Sequence, residues 1–224
     1  MRNGNRYNIP SPIATVINWS YCVSNGYLVF IPDVVFRKGE PGASSYDAVV
    51  SGVKSLIDRY DFIDKDRIAL NGHSWGGYQI AFLVTRTNMF KAAVSGAPVV
   101  NMTSAYGGIR WESGKSRMFQ YEQTQSRIGG TLWDKPAEFI RNSPLFFLPV
   151  LIMHNDKDGS VMWEQGIEFF MALRRLDKPV WLFNYKGEGH HLKKWENRLD
   201  YSRRVMEFYD YYLKDGKKPE WMKS

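Results

Sequence analysis

The sequence predicts an α/β fold, a mostly parallel sheet covered by helices on both faces. Three observations carry that expectation. Short apolar runs alternate along the chain with longer stretches of helical spacing. Two of those runs, Tyr27–Ile31 and Val150–Met153, are apolar throughout, as strands buried on both faces are. Between residues 68 and 84 a strand, a sharp turn and a helix follow one another: Ile68-Ala69-Leu70, then Gly72-His73-Ser74-Trp75-Gly76, then Tyr78 to Val84. At 224 residues and 44% hydrophobic composition, the chain reads as a single domain, 1–224, long enough to bury a core.

Taken in order, residues 1–12 are polar, carry Pro10 and Pro12, and read as an irregular lead-in. Ile13 to Val23 has the spacing of a short helix, stopped by Asn25-Gly26. Tyr27–Ile31 follows as a buried parallel strand ending at Pro32-Asp33. Arg37 to Ser45, with Gly39, Pro41 and Gly42, is a loop whose Ser44 or Ser45 caps the next helix. The apolar positions of that helix are Val49, Val50, Val53, Leu56, Ile57 and Tyr60. Beyond the turn at 72–76 and its helix, Lys91 to Pro98 is another strand. Residues 99–143 form a long excursion rich in glycine and aromatics: Tyr106, Trp111, Phe119, Tyr121, Trp133 and Phe139. Val150–Met153 is the next strand, Gln165–Leu176 a helix, and Val180–Tyr185 the last strand. Trp195, Leu199, Val205, Met206, Tyr209, Tyr212 and Leu213 mark a closing helix that stops at Gly216.

Composition excludes several classes of function. The net charge of +7 comes partly from a basic carboxyl-terminal third, where the cations fall on the polar side of the closing helix or in its tail. No aromatic-basic platform accompanies them, so nucleic acid is not an expected partner. Cys22 is the one cysteine, which rules out an internal disulfide or a multi-cysteine metal site; no metal and no cofactor are expected. The longest apolar run, Leu145 to Met153, is broken by Pro149 and too short for a bilayer. The first residues, Met1 to Asn8, have no apolar stretch and are not expected to be a signal peptide. The expected location is cytoplasmic by default, or periplasmic were an export signal to lie upstream.

Gly72-His73-Ser74-Trp75-Gly76 matches G-x-S-x-G between a strand and a helix, the context of the nucleophile elbow in an α/β-hydrolase. The turn forces the serine into a strained backbone conformation. Gly72 and Gly76 are expected to supply the room it needs, and Gly77 to let the helix pack close to the sheet. A serine hydroxyl needs a base to take its proton, and the base needs a carboxylate to hold it. In this fold the partners follow in the order Ser, acid, His, each on a loop after a strand. The histidines are His73, His154, His190 and His191. His73 neighbours the serine and is expected to point away from it, and His154 precedes the acid. The base therefore falls in Gly187-Glu188-Gly189-His190-His191, where His190, beside the small Gly189, is the better placed. The acid falls in His154 to Val161, where Asp156 and Asp158 both qualify.

The motifs G-H-S-W-G-G-Y, A-P-V at 97–99, H-N-D-K-D-G-S-V and Y-K-G-E-G-H together resemble the catalytic domain of the prolyl oligopeptidase family of serine peptidases, from about Asn25 to Leu213. In that family the acid stands four residues after the histidine of the penultimate loop, with a valine three further on. The resemblance therefore implies Asp158 as acid and Val161 as that valine, and its Gly-Glu-Gly-His ending implies His190 as base. It also implies that the Trp75 N–H serves the oxyanion hole and that Val99, Met102, Tyr106 and Val161 line the primary specificity pocket. Those four would equally serve as ordinary core.

Three departures accompany the likeness. Asn155 replaces a usual glycine and His191 a usual small residue, neither with an expected catalytic role, and the approach Ser143–Pro149 is short. The family also has, upstream of the Ile13 helix, a strand, a loop with the second oxyanion donor and a β-propeller. The sequence begins after these, so the expected fold is an α/β-hydrolase with its early strands missing and no propeller. The expected function is hydrolysis of peptide bonds through Ser74, His190 and Asp158 and an acyl-enzyme, with a peptide or small acyl group as substrate. An esterase of the same fold, or a fragment of low activity and marginal stability, are the alternatives.

Overall fold

The computed structural model describes residues 17–146 and 150–223. The lead-in at 1–12, residues 13–16 of the expected first helix and 147–149 of the approach to the acid-bearing strand lie outside them. Among the described residues the first helix, α1, spans Trp19–Ser24 and starts later than its spacing suggests. Asn18 is the reason: its side chain accepts the Tyr21 N–H at 3.0 Å and caps the helix there.

Residues 27–36 are a correction to the sequence reading. They form no strand, and Leu28, Phe30 and Ile31 are 68%, 45% and 48% exposed. An apolar run becomes a strand only where a neighbour accepts its backbone hydrogen bonds, and no described segment pairs with it. The stretch is held by side chains instead. The Tyr27 hydroxyl donates to Asp210 at 2.7 Å, and the Phe36 ring lies 6.0 Å from Trp75.

Helix α2, Pro41–Arg59, begins before its expected caps. Proline at its first position needs no N–H partner, so the helix starts at Pro41 with Glu40 as N-cap. Ser44 and Ser45 therefore sit inside the first turns and donate back to the Glu40 and Pro41 carbonyls at 2.7 and 2.9 Å. Ser44 also accepts the Arg37 N–H at 2.9 Å, fixing the loop rather than capping the helix.

The centre follows the expected order. Strand β1 (Ala69–His73) leads through Ser74 to α3 (Trp75–Val84), and β2 is Ala92–Gly96. The excursion holds α4 (Met102–Tyr106), a small hairpin of β3 (Ile109–Arg110) and β4 (Lys115–Ser116), α5 (Met118–Glu122) and α6 (Pro136–Arg141). Then come β5 (Leu151–Met153), α7 (Trp163–Arg175), β6 (Trp181–Phe183) and α8 (Trp195–Leu213). The main sheet has the order β1-β2-β5-β6 and all its pairs are parallel, so the carboxyl ends of all four strands share one edge.

Side-chain alternation along these strands divides the core. Leu70, Ala93 and Ile152 face α3 and α7, where Ile80, Leu83, Phe169 and Leu173 cover them. Ala92, Val94, Leu151 and Met153 face α8, covered by Tyr201, Val205, Phe208 and Leu213. This is the three-layer α/β-hydrolase arrangement, present in part. No helix of the described residues is long and apolar enough to cross a membrane.

Of the elbow glycines, Gly72 and Gly77 play the parts expected of them and Gly76 does not. A Cβ on Gly72 would lie 2.5 Å from the Gly76 carbonyl oxygen, and one on Gly77 2.3 Å from the Gly96 carbonyl oxygen. A Cβ on Gly76 would meet nothing within 4 Å, so the room comes from Gly72 alone. Gly77→Ala should force α3 off β2, at about 1–3 kcal/mol. Thermal denaturation should therefore show a melting temperature lower by roughly 2–12 °C, while Gly76→Ala should leave it within a degree or two of wild type (roughly, for an unhindered site). Equal melting temperatures for Gly77→Ala and wild type would refute the close-packing account.

Candidate active site

Ser74 follows β1 with φ 58° and ψ −116°, a left-handed conformation that costs a non-glycine residue about 1–3 kcal/mol. Its N–H donates to the Gly96 carbonyl at 2.8 Å, tying the turn to the end of β2, and its carbonyl accepts the Tyr78 N–H at 2.9 Å. Trp75 opens α3, so its backbone N–H is among the first-turn donors that have no acceptor within the helix.

The loop after β5 carries Asp158. Asp158 is 6% exposed, and both of its oxygens are engaged. Oδ1 accepts the N–H groups of Ser160 and Val161, each at 2.8 Å. Oδ2 lies 2.8 Å from His190 Nδ1 and 3.3 Å from His154 Nε2. Burial pushes this carboxyl up, but the hydrogen bonds and charge of His154 and His190 outweigh it and hold the group well below the usual carboxylate range. Asp158 is thus ionised and aimed at His190.

Asp156, the other qualifying carboxylate, is turned to a different task. It accepts the Gly187 N–H at 2.7 Å, while its own N–H donates to Asn184 at 3.2 Å. Asn155 adds two bonds of the same kind, donating to the Gly189 carbonyl at 2.8 Å and accepting the Tyr185 N–H at 3.1 Å. The acid loop and the histidine loop are stitched together by these contacts. Glu188 anchors the far side: its carboxylate accepts from the N–H groups of Lys193 and Lys194 and from Asn197, at 2.8, 3.0 and 2.6 Å, at the start of α8.

His190 is 9% exposed, with Nδ1 on Asp158 and Nε2 left for another partner. Its ring centroid lies 4.7 Å from that of His73, the residue beside Ser74. The expectation that His73 points away from the site needs amending, because its ring packs on both His190 and His191, at 4.7 and 5.0 Å. Burial, then the neighbouring charges of His190 and His191, lower the His73 pKa to about 3, so that ring is neutral.

Val99, Met102, Tyr106 and Val161 come together in one cluster with Tyr78, Tyr121 and Phe139, and Trp75 packs against it. All four are at most 4% exposed, close-packed beside the elbow. The Trp75 ring stacks on Tyr78 with centroids 4.4 Å apart. Four participants had no role in the sequence reading: His154, Asn155, Glu188 and His73. Their only signal was position, within a few residues of the acid, the base or the serine.

The model of the prolyl oligopeptidase family matches residues 17–216. An uncharacterized peptidase of Bacillus subtilis is 30% identical over 162 residues, covering 70% of this chain and 23% of the relative. Human dipeptidyl peptidase 8 is 28% identical over 174 residues, covering 76% of this chain and 18% of the relative. Among solved structures, the acylaminoacyl peptidase of Pyrococcus horikoshii superposes with a TM-score of 0.70 at 20% identity, over 84% of this chain and 30% of its own. The chain thus spans less than a third of the length of each of these proteins.

The stitching between loops yields a test. Asn155→Ala removes both of its bonds and strands the Tyr185 N–H, at about 1–3 kcal/mol. Amide exchange at Tyr185 and Gly187 should accelerate at least ~10-fold, with the protection of β1 and β2 unchanged. Unchanged exchange at Tyr185 would show that the two loops hold together without Asn155.

Proposed function

The chain belongs to the prolyl oligopeptidase family, and from that membership we propose that it is a serine peptidase whose chemistry runs through Ser74, His190 and Asp158. One observation carries the reading. The ionised Asp158 grips Nδ1 of His190 at 2.8 Å in a nearly dry site, and His190 packs against the residue next to a strained serine.

In this proposal Ser74 Oγ attacks the carbonyl carbon of a peptide bond as its proton passes to His190 Nε2. The carbonyl oxygen becomes an oxyanion that accepts the Trp75 N–H. Collapse breaks the C–N bond, and His190 returns the proton to the departing amine. A water molecule then attacks the acyl-serine with His190 again as base, releasing the acid and restoring Ser74. Asp158 keeps one tautomer of His190 and offsets the positive charge that forms on it. The cluster of Val99, Met102, Tyr106 and Val161 beside Trp75 supports an apolar side chain on the acyl side of the bond. Its tight packing implies that the pocket opens by side-chain movement as substrate enters.

A fluorophosphonate probe should label Ser74 covalently, and Ser74→Ala should abolish labelling. Peptide anilide turnover should fall about 10⁴-fold in Asp158→Asn and at least as far in His190→Ala, while His191→Ala keeps it within a few-fold (roughly, for a residue outside the triad). Labelling that survives Ser74→Ala would remove the serine from the scheme. Turnover of p-nitrophenyl esters with none of peptide anilides would overturn the peptidase reading and leave an esterase.

A further inference from the structure

We propose that His73, His190 and His191 form a binding site for one divalent transition-metal ion of the zinc class. The three residues are brought together from the end of β1 and the loop after β6, and their ring centroids are 4.7, 5.0 and 4.9 Å apart. One ring nitrogen from each lies within 4.8 Å of the others. Tetrahedral zinc with nitrogen ligands at 2.0–2.1 Å needs donors roughly 3.4 Å apart. Side-chain rotation of about an ångström would close the cluster to that spacing.

Three further features favour a metal. Neither ring nitrogen of His73 has a hydrogen-bond partner, although both are shielded from solvent. A buried imidazole with two idle nitrogens carries a desolvation cost that a metal bond would offset. The Asp158 carboxylate on Nδ1 of His190 fixes the ring and leaves Nε2 for a ligand, the outer-shell pattern that metal-binding histidines commonly have. The Asp158 carboxylate, 2.8 Å from His190 Nδ1, would offset part of the charge of a dication held at the other nitrogen of that ring. Imidazole donors without thiolates suit zinc, copper and nickel over magnesium or calcium.

Hydrolysis as proposed above needs only His190 of the three, and leaves His73 and His191 without a task. A metal on His190 Nε2 occupies the lone pair that would accept the Ser74 proton. Metal binding and hydrolysis would then exclude one another, giving an enzyme switched off by zinc and restored by its removal. The inhibition rests on the serine hydrolase reading, whereas the binding does not.

The experiment uses the full chain without a histidine tag. In Ser74→Ala, Co²⁺ should bind one ion per chain with the visible absorption of a tetrahedral site, and Zn²⁺ should bleach it. His73→Ala and His191→Ala should each weaken Co²⁺ binding at least ~10-fold. His191 is exposed, so its variant tests the site without disturbing the core. In the chain with Ser74 intact, Zn²⁺ should slow fluorophosphonate labelling and a chelator restore it. The two histidine variants should label at a rate insensitive to Zn²⁺. Co²⁺ affinity unchanged in both variants, or no saturable one-to-one binding, would overturn the proposal. Metal binding as described with no labelling under any condition would sustain the metal site and sink the hydrolase reading.

Discussion

A carboxylate at 6% exposure dictates the geometry of the site. A buried charge without partners would cost several kcal/mol (about that per ion), so Asp158 must collect donors, and each donor fixes a piece of chain. The N–H groups of Ser160 and Val161 hold its own loop in a tight turn. His154 packs beneath it, Nε2 also 3.0 Å from the Val161 carbonyl, and His190 closes the remaining side. Satisfying Asp158 is therefore the same event as positioning His190. The parallel order β1-β2-β5-β6 makes this economical, because it delivers the serine turn, the acid loop and the histidine loop to one edge of one sheet.

The stitching contacts refine that picture. On the histidine loop Asp158 reaches only the imidazole, and an imidazole on a loose loop would wander. Asn155 and Asp156 tie the acid loop to residues 184–189 through backbone groups, and Glu188 ties the other flank to α8. Two neighbouring aspartates thus divide the labour on the histidine loop, Asp158 holding a side chain and Asp156 a backbone N–H.

Legibility in the sequence followed the range of the interaction. The elbow was readable because strand, turn and helix are adjacent in sequence and the glycine pattern is local. The strand at 151–153 was readable because burial on both faces leaves a continuous apolar run, and those at 69–73, 92–96 and 181–183 because each contains or adjoins a short apolar stretch. Tyr27–Ile31 shows the limit of that rule. It has the composition of a strand, but strand formation also depends on a partner, and composition does not report one. The helix start at Pro41 was missed for a smaller reason: Ser44 and Ser45 look like caps wherever they stand, and only the φ preference of the preceding proline decides where the first turn begins. The roles of Asn155, Glu188 and His73 depend on contacts between loops far apart in sequence, so local pattern carried none of them. His73 is the sharpest case. Its ring meets His190 and His191 across more than a hundred residues of chain, a contact made by the loop after β6 reaching back over the sheet toward the end of β1.

That crowding of imidazoles has a consequence for charge. His73 and His191 are both held below the ordinary histidine range, by burial first and then by the proximity of His190. They are neutral near pH 7 and add no positive charge to the cluster. His190 differs from them in having a buried, ionised carboxylate on its ring. A positive charge arriving at this cluster is therefore best placed on His190, where Asp158 offsets it at 2.8 Å. The carboxylate makes no distinction between a proton and a metal ion arriving from solution. Both are cations, both need the same outward lone pair, and the same carboxylate favours both. The features that suit His190 to proton transfer would thus also make it a metal ligand, and the two flanking histidines decide how well the metal competes.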